Sequence, residues 1–113
     1  MTPQTKKLQN RVKAGIVFLD VAEPNWKKKI KLEELDLVNG NYCILGQIFG
    51  NYFKGKEKLG INNRIASELG FAEMNKLEHV SSKELKPKYK ALTAAWKKIL
   101  KPMMKRSQKN TMK

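Results

Sequence analysis

Near the start of the chain, apolar residues recur at intervals of four, four and three, which is the spacing of one face of an α-helix. They are Leu8, Val12, Ile16 and Leu19. Pro3 is typical of a first helical position, and Pro24 is expected to stop the helix because a proline ring interrupts backbone hydrogen bonding. The pattern predicts a first helix from about Pro3 to Val21.

The next segment predicts short helical turns rather than a long element. Asn25 can cap a turn that contains Trp26 and Ile30. Residues 32–37 place leucines among acids at a spacing too short for a long helix or a strand. Residues 39–41, Asn-Gly-Asn, are typical of a loop.

Helical spacing returns from Tyr42 to Phe53, where apolar residues again repeat at three and four. Gly46 and Gly50 lie four residues apart on one face of this predicted helix, and glycines there allow another backbone to come close. Gly55 and Gly60 are then expected to end the element.

A short helix is predicted between Asn62 and Leu69. Asn62 is a typical N-cap, and Gly70 stands where a left-handed C-terminal residue is expected. Residues 72–86 are polar and poorly periodic, which predicts a long loop or an irregular helix.

The last predicted helix has the clearest apolar stripe, which consists of Tyr89, Leu92, Trp96, Ile99 and Met103. Pro87 is expected to start this helix, and Pro102 to bend or end it. Almost nothing along the chain alternates with period two, so the predicted fold class is all-α. We expect a compact single domain of four or five helices over residues 1–104, followed by a disordered basic tail over residues 105–113.

Charge adds more to this picture than any other property of the composition. The 113 residues include 24 lysines and arginines against 10 acids, for a net charge of +14. Residues 83–113 hold 11 of the basic residues and one acid, Glu84, and such a gradient favours a polyanionic partner, usually nucleic acid. A lysine-rich surface that only maintains solubility is the alternative. Arginine is the residue that most often reads base edges, and only three of the 24 basic residues are arginines. Binding should therefore be mainly to phosphates.

The residues predicted to bind nucleic acid lie on the polar side of the last helix and in the tail. They are Lys88, Lys90, Lys97, Lys98, Lys101, Lys105 and Arg106. A secondary basic patch is predicted at Lys27, Lys28, Lys29 and Lys31. Trp96 and Tyr89 could stack on unpaired bases, but their spacing matches the apolar stripe and favours a place in the core.

The segment from Gly50 to Glu57 fits seven of the eight positions of the phosphate-binding pattern G-x-x-x-x-G-K-[ST]. Glu57 stands where a hydroxyl should meet the metal and the phosphates, and no strand is predicted before the segment. The match is therefore attributed to chance. Gly50 is assigned instead to helix packing and Gly55 to the end of a helix.

The segment from Ile65 to Val80 fits half of a helix-turn-helix pattern. Lys76 occupies the position where the second helix should bury an apolar residue, and Leu77 comes one residue late. Glu73 and Glu78 would repel phosphates in such a recognition helix. A short helix with a glycine cap, followed by a loop, explains the segment better.

No group of residues in the sequence favours catalysis or metal binding. Cys43 and His79 are the only cysteine and histidine, and neither has a partner at ligand spacing. Cys43 is assigned to the core, and His79 to the surface or a weak phosphate contact. We expect a non-enzymatic protein without a cofactor or a metal.

The lone cysteine cannot form an internal disulfide, so a reduced, intracellular protein is expected. The sequence has no apolar run of ~18 residues and no recognisable signal peptide, so neither membrane insertion nor export is expected.

Four motifs follow one another along the chain: LDL at Leu35–Leu37, CILGQIFGNYF at Cys43–Phe53, LGF at Leu69–Phe71, and YKALTAAW at Tyr89–Trp96. In this order they resemble a group of small proteins encoded by bacteriophages and prophages of Gram-positive hosts. The resemblance covers residues 8–101. It implies a viral origin and the cytoplasm of a bacterial host cell, but no activity.

A small phage protein without catalytic residues is expected to act by binding, and three functions are open. The leading one is binding of nucleic acid through phosphate contacts. The second is inhibition of a host defence or replication nucleoprotein complex, such as a CRISPR effector, in which an acidic host protein could be the partner. The third is a helical virion component that contacts packaged DNA. A membrane partner is not expected.

Overall fold

Every regular element in the described part of the chain is helical. The structure, a computed structural model, describes residues 3–73 and 82–111. The five α-helices are α1 (Pro3–Ala22), α2 (Ile44–Phe49), α3 (Tyr52–Leu59), α4 (Asn63–Glu68) and α5 (Ser82–Thr111). Two short 3₁₀-helices, Trp26–Lys29 and Leu32–Glu34, lie between α1 and α2. The predicted all-α class is confirmed.

The two long helices pack against each other, and their apolar faces supply much of the core. On α1 the predicted stripe is confirmed, since Val12, Ile16 and Leu19 are buried and Leu8 is partly buried. On α5 the fully buried members are Leu92, Trp96 and Leu100. The other stripe residues of α5 pack against the core from its edge: Tyr89, Ile99 and Met103.

Three aromatic rings meet at the centre of the core. Trp26 contacts Trp96 edge to face, with ring centroids 6.4 Å apart, and Phe71 stacks on Trp96 at 6.1 Å. Both indole nitrogens have partners, because Trp96 Nε1 donates to the Gly70 carbonyl at 2.6 Å and Trp26 Nε1 donates to Asp20 Oδ1 at 2.8 Å. These contacts tie the first 3₁₀-helix and the α4–α5 connection to α5.

The prediction of a single helix from Tyr42 to Phe53 is wrong, because the helical backbone is interrupted at Gly50. Its φ of +105° is a conformation that residues with a side chain rarely adopt, and it ends α2. Asn51 then starts α3 by accepting a hydrogen bond from the Lys54 amide at 2.8 Å. The apolar spacing continues across the break, which is why periodicity alone did not reveal it.

The predicted roles of Gly50 and Gly55 are therefore the reverse of the observed ones. Gly55 lies inside α3, and a Cβ added there would stand 2.7 Å from the Leu45 Cβ, so it allows α3 to approach α2. Gly46 does have the packing role that the sequence predicted. A Cβ at Gly46 would overlap the carbonyl oxygen of Gly40.

The predicted ends of α4 and the predicted role of Gly60 are confirmed, whereas Asn25 precedes the first 3₁₀-helix without forming a side-chain capping bond. Asn62 caps α4, because its side chain accepts a hydrogen bond from the Ile65 amide at 2.8 Å. Gly60 ends α3 at a φ of +68°, and Gly70 follows α4 at a φ of +74°, both in the left-handed region.

Helix α5 is longer than its prolines predict. It begins at Ser82 rather than Pro87, and it passes Pro102 to reach Thr111. A proline removes one backbone hydrogen bond, but it does not end a helix whose apolar face is packed over several turns. Residues 105–111 have helical backbone, whereas the division into a 1–104 domain and a 105–113 tail stays a prediction. Of the segment predicted as loop or irregular helix, residues 74–81 lie outside the described ranges.

Within those ranges, no helix combines the length and the hydropathy needed to cross a bilayer.

Candidate nucleic-acid interface

The lysines predicted on α5 are exposed wherever their side chains are described. The exposed members are Lys88, Lys90, Lys97, Lys98 and Lys101. Lys105 and Arg106 have their backbones in α5, but their side chains lie outside the described part. Among the side chains that the structure does describe, none of the ion pairs involves a lysine of α5. Because these side chains are exposed, their ammonium groups are accessible to an external anion.

Helical geometry places three of these lysines in one line with Lys86, an exposed lysine that was not among the predicted site residues. Lys86, Lys90, Lys97 and Lys101 follow one another at intervals of four, seven and four residues on the exposed side of α5. We call these four residues the lysine row. It extends over about 22 Å, at 1.5 Å for each residue of the helix. Lys98 lies beside the row.

Lys88 is separated from the lysine row and lies on the other flank of the apolar stripe. It lines a cleft of about 370 Å³ at the junction of α1 and α5. The other lining residues are Lys7, Leu8, Arg11, Glu73, Pro87 and Ala91. The structure thus divides the predicted α5 set into a continuous row and a residue that faces a different surface.

Arg11 has a structural role in this cleft. Its guanidinium donates to the Ser67 and Ala72 carbonyls, both at 2.8 Å, and pairs with Glu73 at 3.1 Å. These bonds join α1 to the end of α4 and to the chain beyond it. Because its donors are engaged within the protein, Arg11 is poorly placed to bind an external phosphate.

The secondary patch is partly neutralised by acids. The Nζ of Lys27 lies 3.9 Å from Asp20 Oδ1, and the Nζ of Lys31 lies 3.7 Å from Glu34 Oε2. Both pairs are at the surface, where an ion pair contributes little to stability, but each acid lowers the local potential. This patch is therefore a weaker candidate for phosphate binding than the lysine row.

Lys29 belongs to a second basic surface that sequence reasoning missed. With two lysines of α3, Lys54 and Lys58, it lines a cleft of about 600 Å³, which we call the α3 cleft. The remaining lining residues are Glu23, Ile48, Phe49 and Glu57. The sequence signal is the alternation of lysines at positions 54, 56 and 58, of which only the first two fall within the phosphate-loop pattern.

That phosphate-loop interpretation is excluded by the backbone. Gly55, Lys56 and Glu57 lie inside α3, and the element before Gly50 is the helix α2 rather than a strand. Amides inside a helix bond to the helix itself and cannot surround a phosphate.

The helix-turn-helix pattern over residues 65–80 falls only partly within the described residues. Its first helix corresponds to α4, which ends at Glu68 and is followed by the left-handed Gly70. Residues 74–80, which would form most of the second helix, lie outside the described ranges, as does His79.

Cys43 is a core residue, as the sequence predicted. It is buried, and its Sγ accepts a hydrogen bond from the Gly46 amide at 3.2 Å, which caps α2. Burial raises the pKa of the thiol, so the group stays protonated and weakly nucleophilic at neutral pH.

Neither aromatic residue considered for base stacking on α5 is free for it. Trp96 is fully buried in the core. Tyr89 is half-buried, and its hydroxyl donates to the Glu73 carbonyl at 3.3 Å. The predicted place of both rings in or against the core is confirmed.

The Tyr52 phenol gives a test of the α2–α3 region by pH. Burial raises its pKa from 10.0 to about 12. The pKa of Tyr52 is higher in the folded than in the unfolded protein, so folding favours the protonated phenol. The contribution of this phenol to stability is fully present below pH 10.0 and is lost as the pH rises towards about 12. Near pH 11, the native protein should therefore show less phenolate absorbance than the protein in denaturant, and Tyr52→Phe should reduce that difference. Equal absorbance in the two states would contradict the burial of Tyr52.

Comparison of the chain with protein-family models, with curated proteins and with solved structures gave no match. The resemblance to phage proteins stays a prediction.

Proposed function

We propose that the protein binds nucleic acid without catalysing a reaction, mainly through phosphate contacts made by the lysine row. The observation that supports this most directly is the arrangement of four exposed ammonium groups along α5 with no acidic partner among the described residues. Buried α5 residues hold the helix on the domain, so the row is presented on a fixed support.

The geometry of the row suits a phosphate backbone. A line of charges about 22 Å long matches the axial rise of roughly six nucleotides at 3.4 Å each, so it can reach several phosphates of a nucleic acid. Each lysine that neutralises a phosphate releases condensed counterions, which gives affinity that falls with salt. Lysine acts as a point charge without the fixed fork of arginine, so low sequence selectivity is expected.

Replacement of Lys90, Lys97 and Lys101 by alanine, the row variant, tests the proposal. Alanine is the best helix former, so α5 should remain folded. The slope of log affinity against log salt should fall by about one unit for each lost contact, so by about three units for DNA or RNA. Fluorescence anisotropy over ~50–300 mM salt measures this slope.

A matched control removes the same charge elsewhere. Lys6, Lys13 and Arg64 are exposed and lie on α1 and α4, so their replacement by alanine should change the slope by less than about one unit. An equal loss in both variants would show that overall charge, and not the row, determines binding. If the wild-type protein binds neither DNA nor RNA at the lowest salt, the proposal is wrong, and docking on an acidic protein becomes the better explanation of the charge.

A further inference from the structure

Phe53 is a large aromatic side chain that the fold leaves in solvent. It is 73% exposed, although its neighbour Tyr52 is partly buried against the core. The two rings meet edge to face, with centroids 5.6 Å apart and planes at 72°. Since the core is formed without the Phe53 ring, its surface is open to a partner.

Lys56 is fixed beside this ring. Its Nζ lies 5.3 Å from the centroid of Phe53 and 5.0 Å from that of Tyr52. The same ammonium donates a hydrogen bond to Asn63 Oδ1, which also accepts one from the Tyr52 hydroxyl at 3.3 Å. A surface lysine usually samples many rotamers, whereas these contacts hold the Lys56 charge next to the exposed ring.

The charges around Phe53 favour an anionic partner. Helix α3 carries Lys54, Lys56 and Lys58 against one acid, Glu57. Lys54 and Lys58 also line the α3 cleft, which begins on the flank of α3 away from Lys56. A partner that contacts this surface needs both a flat group for the ring and negative charge for the lysines. A nucleotide unit supplies both.

We propose that Phe53 and Lys56 form a stacking site for one unpaired base of a single-stranded nucleic acid, with its neighbouring phosphates on Lys54 and Lys58. This inference rests on the proposed function, because it specifies the form of nucleic acid that the protein prefers. The lysine row can contact the backbone of single and double strands alike. A stacking site needs a base whose face is uncovered, and base pairs inside a duplex do not offer one.

The test compares three fluorescent probes of equal length by anisotropy: an oligothymidylate, the same strand with abasic sites in place of its bases, and a duplex. The wild-type protein should bind the oligothymidylate more tightly than the abasic strand. Phe53→Leu should weaken binding of the oligothymidylate by about 5- to 150-fold and leave the other two probes unchanged. Leucine keeps apolar bulk without a π-face, and substitution at so exposed a position should not disturb folding.

The row variant separates this inference from the proposed function. It should weaken binding of all three probes, including the abasic strand, while the preference for the oligothymidylate over the abasic strand remains. Equal wild-type affinity for those two strands, or an equal effect of Phe53→Leu on every probe, overturns the stacking site and leaves the lysine row intact. If Phe53 determines the preference for the oligothymidylate but the row variant binds all three probes as tightly as the wild type, the role of the row is overturned. Absence of binding to any probe overturns both.

Discussion

Replacement of Trp96 by alanine is expected to lower the free energy of unfolding by about 3–5 kcal/mol, the range for loss of a large buried aromatic side chain. The ring is fully buried, stacks on Phe71 and meets Trp26 edge to face. Alanine would leave a cavity where α5 meets the first 3₁₀-helix and the chain after α4. It would also leave the Gly70 carbonyl without the indole donor that lies 2.6 Å away. Urea unfolding followed by circular dichroism measures the loss.

Trp96→Phe is the matched control, because it keeps an aromatic ring beside Phe71 and removes the indole N–H. We expect a smaller loss, about 1–3 kcal/mol, mainly from the unpaired Gly70 carbonyl. Trp96→Ala should lower the free energy of unfolding more than Trp96→Phe, because alanine leaves the larger cavity. A loss below about 1 kcal/mol for Trp96→Ala, typical of surface substitutions, would contradict the central place of this ring.

Gly15→Ala is expected to destabilise the protein although it improves the helix propensity of α1. Alanine at an exposed helical position is favoured over glycine by about 1 kcal/mol. At Gly15, however, the new Cβ would overlap the carbonyl oxygen of Leu69 and lie 3.2 Å from the Trp96 ring. Because the Leu69 contact is with backbone, α1 must move away from the end of α4. Overpacking of this kind costs about 1–3 kcal/mol, so the net sign should be unfavourable.

Ala14→Gly on the same helix calibrates this result. Ala14 is exposed, so its replacement should lower stability by about 1 kcal/mol through helix propensity alone. If propensity governed both positions, Gly15→Ala would raise stability by a similar amount. A rise in the urea midpoint of Gly15→Ala would therefore show that α1 does not approach the Leu69 backbone as closely as the structure indicates.

The two candidate surfaces have different physical characters. The lysine row is a line of exposed charge on a long helix, and its contribution should disappear at high salt. The Phe53 site combines a ring with a fixed ammonium, so part of its contribution should survive where phosphate contacts are screened. A protein with both would favour single strands and would hold them through backbone and base at once.

Much of the fold was readable from apolar spacing and capping residues. The buried face of α1, at Val12, Ile16 and Leu19, follows from periodicity, because a helix places residues three and four apart on the same side. Asn62 and Gly70 were readable as helix ends, since a side-chain acceptor and a left-handed glycine satisfy local backbone requirements. The same local logic identified the exposed lysines of α5, because charge opposite an apolar stripe faces water.

Other features depended on which elements come together. Gly50 and Gly55 exchange their predicted roles, because α3 turns back onto α2 and only Gly55 lies at the contact. Gly15 carried no sequence signal at all, since its importance comes from a carbonyl 54 residues away in the chain. Pro87 is typical of a helix start, whereas α5 begins five residues before it at Ser82.

The helical class, the apolar faces and the excess of positive charge follow from the order of the amino acids alone. Each of these depends on residue type and on spacing within one element. Packing between elements places Lys88 in the cleft between α1 and α5, brings Lys29 to Lys54 and Lys58, and leaves Phe53 in solvent while Tyr52 packs against the core. Periodicity shows which side of a helix is apolar, but the neighbour that covers a residue is set by packing between elements distant in the chain.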